Sequence, residues 1–414
     1  MERKFPDWIE GFLAYTDNTE PSKLYRTWSA IATVGAALRR KCYLPWGSET
    51  FYPNMYIVLV GPPAARKGTA MKPARDFMTD LGITVSSDET SRQKLVDILV
   101  KSMTSENDVE AQTTIQHSSL TIISPELTVF LKDDPDMYPM LCDWYDCRSQ
   151  YKYATLGRGE EKATNVWVHM FGATTPTSLQ RSLPQEAFGT GIASRIVFVY
   201  SRDKEKIVIF PGGPQSMRDK LMIDLEQIDI LKGHFTYVPE FIDAYTIWRM
   251  DSEKNPPFKE DKLLGYLQRR PTQLFKLCMI LSASRSNSMI ITVEDFTRAT
   301  DLLTWTEKTM PQTFYGIGSN PLGAIQARVM ATLIQAKDGK IAGHELMDIY
   351  KDDVSHEQLG MILTTLSKTR FCSFDQDGNV KCLKGDKYAS GANVKETLGE
   401  GTDLKIGPII PGAG

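Results

Sequence analysis

The clearest pattern in the chain is a short apolar run followed by a loop and a helix. Met55–Val60 is continuous and rich in β-branched residues, which is typical of a buried strand. The run ends at Gly61, and two prolines, small residues and Lys67 follow before a helical pattern over Ala70–Leu81. The pattern predicts a strand, a tight loop and a helix in that order.

Three later apolar runs predict the other strands of a buried parallel sheet. They are Ser119–Ile123, Val166–Phe171 and Ile196–Tyr200. A helical pattern over 91–103 precedes the first of them, and the polar residues 104–117 between are predicted to form a loop. Alternation of strand and helix patterns favours an α/β core over 46–205, with a helical lead-in over 1–45.

A hairpin is predicted between the strands Ser119–Ile123 and Val166–Phe171. Gln150–Thr155 and Thr164–Phe171 flank a Gly-Arg-Gly-Glu turn at 157–160. The segment combines cations with aromatic faces, the groups that grip a nucleic-acid backbone: Tyr151, Lys152, Tyr153, Arg158 and Lys162. The alternative is a solvated hairpin tip with no ligand.

The second half of the chain is predicted to be helical and then to change character. After a Pro/Gly-rich link, helical patterns cover 215–231, 238–254, 261–285 and 293–309. Residues 323–385 then read as three helices with a two-stranded wing, which is the winged helix-turn-helix pattern. The predicted domains are therefore the lead-in, the core, a helical lid over 206–318, a winged helix over 319–388 and a flexible tail over 389–414.

Composition narrows the function classes. Net charge −3 argues against a generally basic nucleic-acid coat, so any DNA contact must come from local loops. Six cysteines without C-x-x-C pairing signal neither a zinc site nor a disulfide framework. We find no run of about 20 apolar residues and no cleavable leader, so we expect a cytoplasmic protein without membrane contact.

The loop after the first strand has the spacing of a phosphate-binding loop. In the pattern G-x-x-x-x-G-K-[ST], backbone N–H groups cradle phosphate, the lysine reaches the β/γ-phosphates and the hydroxyl holds Mg²⁺. Gly61 and Lys67 keep that spacing, whereas Arg66 replaces the second glycine and Gly68 the hydroxyl residue, with Thr69 one position later. The alternative is a strand edge followed by a proline-rich turn and a surface lysine.

Three more positions are candidates for catalysis. Glu126 follows the second strand, where a carboxylate would polarise an attacking water, although a helix N-terminus also favours a carboxylate. Thr174 and Thr175 end the third strand, where a hydroxyl would face the γ-phosphate. Arg195 begins the fourth strand and is predicted to lie on the rim, facing a neighbouring subunit, with a surface ion pair as the alternative.

The order of these elements resembles the ATPase half of the minichromosome maintenance helicases, within the AAA+ class. ASRIVFVY is similar to the arginine-finger segment, and RRPTQLFKLCMILSASR with ITVEDFTRATDLL is similar to the second-sensor helix and its successor. YPNMYIVLVGPP, LCDWYDC and GATTP more closely resemble an uncharacterised domain of phage and plasmid primase–helicase proteins. The resemblance covers residues 20–385.

The resemblance implies a P-loop NTPase fold, AAA+-like, with a three-layer αβα core, a helical lid and a C-terminal winged helix. It implies that Glu126 activates water, that Thr174 or Thr175 senses the γ-phosphate and that Arg195 acts on a neighbour's nucleotide. ATP and Mg²⁺ are the implied cofactors, with Thr69 on the metal. The implied nucleotide-binding residues are Gly61, Pro62, Pro63, Ala64, Ala65, Arg66, Lys67, Gly68, Thr69 and the second-sensor Arg270.

The departures from the family pattern leave more than one function open. Three departures alter the Mg²⁺ side of the site: Arg66, Gly68 and Pro125, the last of which takes the place of an aspartate. They argue against ATP hydrolysis more than against nucleotide binding. The leading hypothesis is an ATP-dependent DNA helicase or translocase of phage or plasmid replication. It would act as a homo-oligomer, expected to be a hexamer, on single-stranded or forked DNA, with a primase or polymerase as a further partner. The alternatives are a non-hydrolysing, nucleotide-gated initiator or loader, and an inactive scaffold.

Overall fold

The computed structural model describes residues 3–86, 90–108, 113–131, 134, 136–155, 159–182, 191–314, 322–336, 339–375 and 378–383. Contacts divide the chain into two units, residues 1–315 and 316–414. The first unit is a mixed α/β structure, in which a largely parallel sheet is packed against helices. The second unit has its own buried core.

The helices of the first unit begin with two that come before the sheet and end with four longer ones. Their bounds are α1 Trp8–Tyr15, α2 Lys23–Leu38, α3 Lys67–Asp80, α4 Arg92–Lys101, α5 Leu127–Leu131, α6 Met137–Tyr145, α7 Pro176–Ser182, α8 Ile192–Arg195, α9 Gln215–Asp229, α10 Pro239–Lys254, α11 Leu264–Arg285 and α12 Val293–Glu307. Serine caps start α2 and α4, because Ser22 and Ser91 accept from backbone N–H groups of the first turn.

The strands of the first unit form one main sheet and several short pairs. Their bounds are β1 Cys42–Trp46, β2 Glu49–Phe51, β3 Tyr56–Val60, β4 Met103–Asp108, β5 Thr113–Ser124, β6 Gln150–Thr155, β7 Gly159–Thr164, β8 Val166–Thr174, β9 Ile196–Tyr200, β10 Gly233–His234, β11 Thr236–Tyr237 and β12 Ile290–Ile291. The main sheet has the order β4-β5-β8-β3-β9.

Parallel pairing aligns the strand ends of the main sheet. β3 pairs in parallel with β8 and β9, and β8 pairs in parallel with β5. Val60 lies opposite both Thr174 and Tyr200. The carboxyl ends of β3, β5 and β8 therefore meet at one edge of the sheet, where ligands of open α/β sheets bind.

The outer edge of β5 has two different neighbours. Its first half pairs antiparallel with β4, from Met103 opposite Ser118 to Asp108 opposite Thr113. Further along, Val85 makes an isolated parallel bridge to Thr121. The prediction of a loop over 104–117 is therefore wrong, because its polar residues form both strands of a hairpin.

The hairpin and the parallel strand after it are separate elements. β6 pairs antiparallel with β7, whereas β8 lies inside the main sheet and is buried along its whole length. The prediction of a hairpin is confirmed, but its return strand is Gly159–Thr164 rather than Thr164–Phe171. The lead-in and the lid also contain short strands that the sequence did not predict, including β1 and β12.

The second unit packs three helices against a small antiparallel sheet. The helices are α13 Gly323–Gln335, α14 Gly343–Tyr350 and α15 His356–Lys368, and the strands are β13 Lys340–Ala342, β14 Cys372–Phe374 and β15 Asn379–Cys382. The strand order is β13-β15-β14. A capping box at Ser355 starts α15. The predicted element positions agree with these bounds, while the predicted tail over 389–414 lies outside the described residues.

Candidate nucleotide site

The loop after β3 turns back on itself before α3. Ala64 and Arg66 both have left-handed backbone conformations, with φ of 69° and 62°. α3 begins at Lys67, three residues earlier than predicted. The first turn of α3 therefore carries Lys67, Gly68 and Thr69, and its unpaired N–H groups form the positive end of the helix dipole.

A buried tyrosine fixes the start of this loop. The Tyr25 hydroxyl donates to the carbonyl oxygens of Val60 at 2.6 Å and Ser201 at 2.9 Å. A Cβ on Gly61 would lie 2.4 Å from both the Tyr25 hydroxyl and the Ser201 carbonyl oxygen. Gly61 is required here because the backbone passes too close to β9 and α2 for any side chain.

Lys67 lies where the sequence predicts a phosphate ligand. Its Nζ donates to the carbonyl oxygens of Gly61 at 2.7 Å and Pro62 at 2.9 Å. Burial lowers the pKa of Lys67, while the nearby Glu126 carboxylate acts in the opposite direction. The ammonium group is thus held over the loop by neutral acceptors, which a phosphate oxygen can replace.

Glu126 and Thr174 approach each other at the same edge of the sheet. The Glu126 carboxylate accepts from the hydroxyls of Thr128 at 3.0 Å and Thr174 at 3.5 Å. Thr175 makes a different contact, because its hydroxyl accepts from the Ser178 backbone N–H at the start of α7. The buried hydroxyl of Ser124, which ends β5, has no hydrogen-bond partner among the described residues.

Arg66 is turned away from the loop. Its Nε lies 2.5 Å from the Glu20 carboxylate, which Lys204 also contacts at 3.0 Å. The sequence analysis missed Glu20, Thr128 and Tyr25. Thr128 is two residues from Glu126 and could have been proposed as its neighbour, whereas Glu20 and Tyr25 lie too far along the chain from the loop to give a local signal.

Arg195, which the sequence analysis places on the rim facing a neighbouring subunit, is nearly buried. The residue is 8% exposed, and its guanidinium donates to the Asp146 carboxylate at 3.2 and 2.5 Å. Arg195 precedes Ile196, which lies opposite Tyr56 at the start of β3. Gly61 is five residues further along β3, or about 16 Å away at the rise of a strand. Arg195 therefore lies at the opposite end of the sheet from the loop that follows β3.

Arg270 does not join the loop either. Its guanidinium makes two hydrogen bonds to Glu307, at 2.6 and 2.8 Å, and lies 4.9 Å from the centre of the Trp248 ring. The residue is 7% exposed. These contacts give Arg270 a packing function inside the helices of the first unit, so the prediction of a nucleotide contact finds no support in its partners.

The hairpin presents two lysines side by side. Lys152 and Lys162 are directly opposite each other in the antiparallel register, and both are exposed. Like charges in that position destabilise a hairpin unless an anion lies between them. The ring centres of Tyr151 and Trp144 are 5.5 Å apart, so this contact packs β6 against α6. Arg158 lies outside the described residues.

Metal ligands are sparse at this edge. Within the part of the chain that the structure describes, we find no group of three or more His, Cys, Asp and Glu side chains that could hold a metal ion. Mg²⁺ with a nucleotide needs few protein ligands, because phosphates and waters supply most of them. The Glu126 carboxylate, the unpartnered Ser124 hydroxyl and the exposed Thr69 hydroxyl fit that limited demand.

Comparison with known proteins gives no family for this chain. No protein-family model matches it, and no curated protein sequence matches it. Among the described helices, none has the length and apolarity needed to cross a membrane.

Proposed function

We propose that this protein is an ATP-driven, oligomeric motor that moves along DNA, with an AAA+-like P-loop NTPase core. The observation that carries the proposal is the meeting of Lys67, Glu126 and Thr174 at the carboxyl edge of one parallel sheet. A cation at a helix N-terminus, a carboxylate and a buried hydroxyl are the groups that phosphoryl transfer to water requires.

The loop supports binding of a nucleoside triphosphate. The first turn of α3 offers N–H groups to an anion, and Lys67 can exchange two carbonyl oxygens for phosphate oxygens. Arg66 stands where the standard pattern has glycine, but the left-handed backbone is still adopted and the side chain goes to Glu20. The substitution therefore leaves the space over the loop open.

Two residues near the loop are assigned to Mg²⁺ and to water activation. Thr69 would hold Mg²⁺ and Glu126 would orient the attacking water, while the bound metal would neutralise charge on the phosphates. Thr174 donates to Glu126 and so couples the end of β8 to that carboxylate. A Cβ on Gly68 would meet nothing within 4 Å, so the missing hydroxyl of the standard pattern has free space.

Two further features support a ring that grips DNA. Arg195 is about 16 Å from its own loop, so a second copy of the chain is the nucleotide holder it would serve. The exposed lysine pair on the hairpin is suited to a phosphate backbone.

The three helices and small sheet of the second unit fit a winged helix. We therefore propose a hexameric helicase or translocase of phage or plasmid replication.

ATP turnover with and without single-stranded DNA tests the proposal. We expect turnover that DNA stimulates, and its loss in Lys67→Ala together with nucleotide binding. Lys72→Ala is the matched control, because Lys72 is on the same helix and pairs with Asp76 at the surface. Turnover and binding that are the same in Lys67→Ala as in the wild type would contradict the assignment of the loop.

A second function is favoured by the Mg²⁺ side of the site. Gly68 and Pro125 remove two groups that ATPases use around the metal. If these changes abolish hydrolysis, the protein is a nucleotide-gated initiator or loader that assembles on DNA when ATP binds. ATP-dependent assembly without turnover in the same assay would support this second function over the first.

A further inference from the structure

Asp146 holds two arginines from different elements. Arg195, at the start of β9, donates to both of its carboxylate oxygens, and Arg269 of α11 lies 3.5 Å from one of them. The Asp146 side chain is 40% exposed, whereas that of Arg195 is 10% exposed. One partly exposed carboxylate therefore serves two guanidinium groups, which leaves the cluster with more positive than negative charge.

The cluster borders a cleft of about 660 Å³ between β2, the end of α6 and α11. Arg269 and Lys276 line it, together with the carboxylates of Glu49 and Asp146. Lys276 is 3% exposed, and its Nζ donates to the Asn54 amide oxygen and lies 4.4 Å from the centre of the Tyr145 ring. We find no ion pair for Lys276 among the described residues, so the floor of the cleft adds a third cation.

The anion that this cluster could accept cannot come from the protein's own phosphate loop. Arg195 lies at the amino end of β9, and the loop follows the carboxyl end of β3, about 16 Å away. Of the two carboxylates that line the cleft, Glu49 and Asp146, it is Asp146 that contacts Arg195 and Arg269. A competing anion must therefore be brought by another molecule.

We propose that Asp146 is an internal substitute for the phosphates of a nucleotide bound by a second copy of this chain. In the separate subunit Asp146 retains Arg195 and Arg269. When a loaded second copy approaches the cleft, its phosphates displace the carboxylate, pair with Arg269, which lines the cleft, and release Arg195 from Asp146. This inference rests on the proposed function and adds two residues to it. Asp146 delays assembly, and Arg269 is a second cation, beside Arg195, that acts on the nucleotide of the second copy.

The test measures ATP turnover as a function of protein concentration. Asp146→Asn keeps the shape of the side chain but removes its charge, so both arginines are released. We expect half-maximal specific turnover at a concentration about three- to tenfold lower than in the wild type. Asp143→Asn is the control, because Asp143 is on the same helix and pairs with Arg148 at the surface. Thermal unfolding of each variant checks that it is folded.

Arg269→Ala gives a second readout that survives if Asp146→Asn does not fold. We expect lower maximal turnover with unchanged binding of a fluorescent ATP analogue to the dilute subunit, and Arg249→Ala, which removes a surface arginine paired with Glu253, should have neither effect.

Two results would overturn the inference alone: an Asp146→Asn variant that loses turnover with no shift in concentration dependence, which would make Asp146 a positioning residue, or an Arg269→Ala variant that behaves like Arg249→Ala. If the wild type binds the analogue no better than Lys67→Ala, the proposed function fails first, and the inference with it.

Discussion

Charged side chains at the two ends of the parallel sheet have different kinds of hydrogen-bond partner. At the carboxyl end, Lys67 is held by carbonyl oxygens and Glu126 by hydroxyls, and neither has an ion-pair partner among the described residues. At the amino end, Arg195 is held by the carboxylate of Asp146. Lys67 and Glu126 at one edge thus have neutral partners, whereas Arg195 at the other edge has a partner of opposite charge.

This difference determines what each edge needs before it binds a ligand. Hydrogen bonds between an ionised group and a neutral partner contribute about 1.5–3 kcal/mol each, and a charged phosphate replaces the carbonyl partners of Lys67 favourably. The pair of Arg195 and Asp146 is costly to break from one side, because removing Asp146 leaves the charge of the nearly buried arginine without compensation. Under the proposed function, the carboxyl edge would therefore accept a nucleotide by itself, whereas the amino edge would require a competing anion.

The largest expected effect is at the carboxyl edge. Glu126→Gln keeps an oxygen for Thr128 and Thr174 but removes the charge that would activate water. We expect turnover to fall by about 100-fold or more, with ATP affinity retained. Steady-state turnover and equilibrium binding separate the two quantities. Unchanged turnover would show that Glu126 is a helix-terminal carboxylate only, and Glu226→Gln is the surface control.

The second prediction concerns the pH dependence of stability at the amino edge. Burial lowers the pKa of Lys276 to about 8, below the value of about 10.4 in an unfolded chain. The unfolded state binds this proton more tightly, so the charge opposes folding below pH 8, and the penalty disappears as the pH rises above about 10.

Lys276→Met should therefore be more stable than the wild type at neutral pH, by up to about 3 kcal/mol less the hydrogen bond to Asn54. The difference should shrink between pH 8 and pH 10. Urea unfolding of both proteins at pH 7 and pH 10 measures it, with Lys72→Met as the exposed control. A difference that does not change with pH would contradict the assignment.

A pair of glycine substitutions compares two positions within the phosphate loop and its helix. Gly61→Ala places a methyl group 2.4 Å from Tyr25 and Ser201, and overpacking of this kind costs about 1–3 kcal/mol. Gly68→Ala meets nothing within 4 Å and should stabilise the helix by up to about 1 kcal/mol. Thermal unfolding gives both signs, and a neutral Gly61→Ala would refute the close approach.

The smallest expected effect concerns the hairpin of β6 and β7, which begins four residues after Asp146. Lys152→Ala with Lys162→Ala should lower the slope of DNA affinity against salt by about two, since two phosphate contacts are lost. Fluorescence titrations at several salt concentrations test this, and an unchanged slope would place the DNA elsewhere.

The sheet was largely predictable because its inner strands are buried on both faces. Such strands have continuous apolar runs, and Ile196–Tyr200 matches its predicted bounds. The hairpin over 103–118 was missed because one of its strands is polar, and its pairing with β5 depends on tertiary contacts. Sequence also placed Lys67, Glu126 and Thr174 at one edge, since parallel strands bring their carboxyl ends together.

The amino edge was predicted less well, for a physical reason. Arg195 and Asp146 are 49 residues apart, and Arg270 and Glu307 are 37 apart. The exposure of an arginine depends on whether such a distant carboxylate reaches it. No local sequence pattern shows whether a distant carboxylate reaches an arginine. The ion pairs that surround Arg195 and Arg270 could therefore not be predicted from the sequence.

The position of β3 in the sheet has a consequence for synthesis. Both of its neighbours come late: β8 begins at Val166 and β9 at Ile196, while β3 begins at Tyr56. At about 5–20 residues per second, a ribosome needs roughly 5–20 s to make the first of them. Throughout that interval Tyr56–Val60 is an apolar strand with both edges open, which is a hazard for aggregation. The yield of folded protein should therefore depend on chaperones that bind this segment during translation.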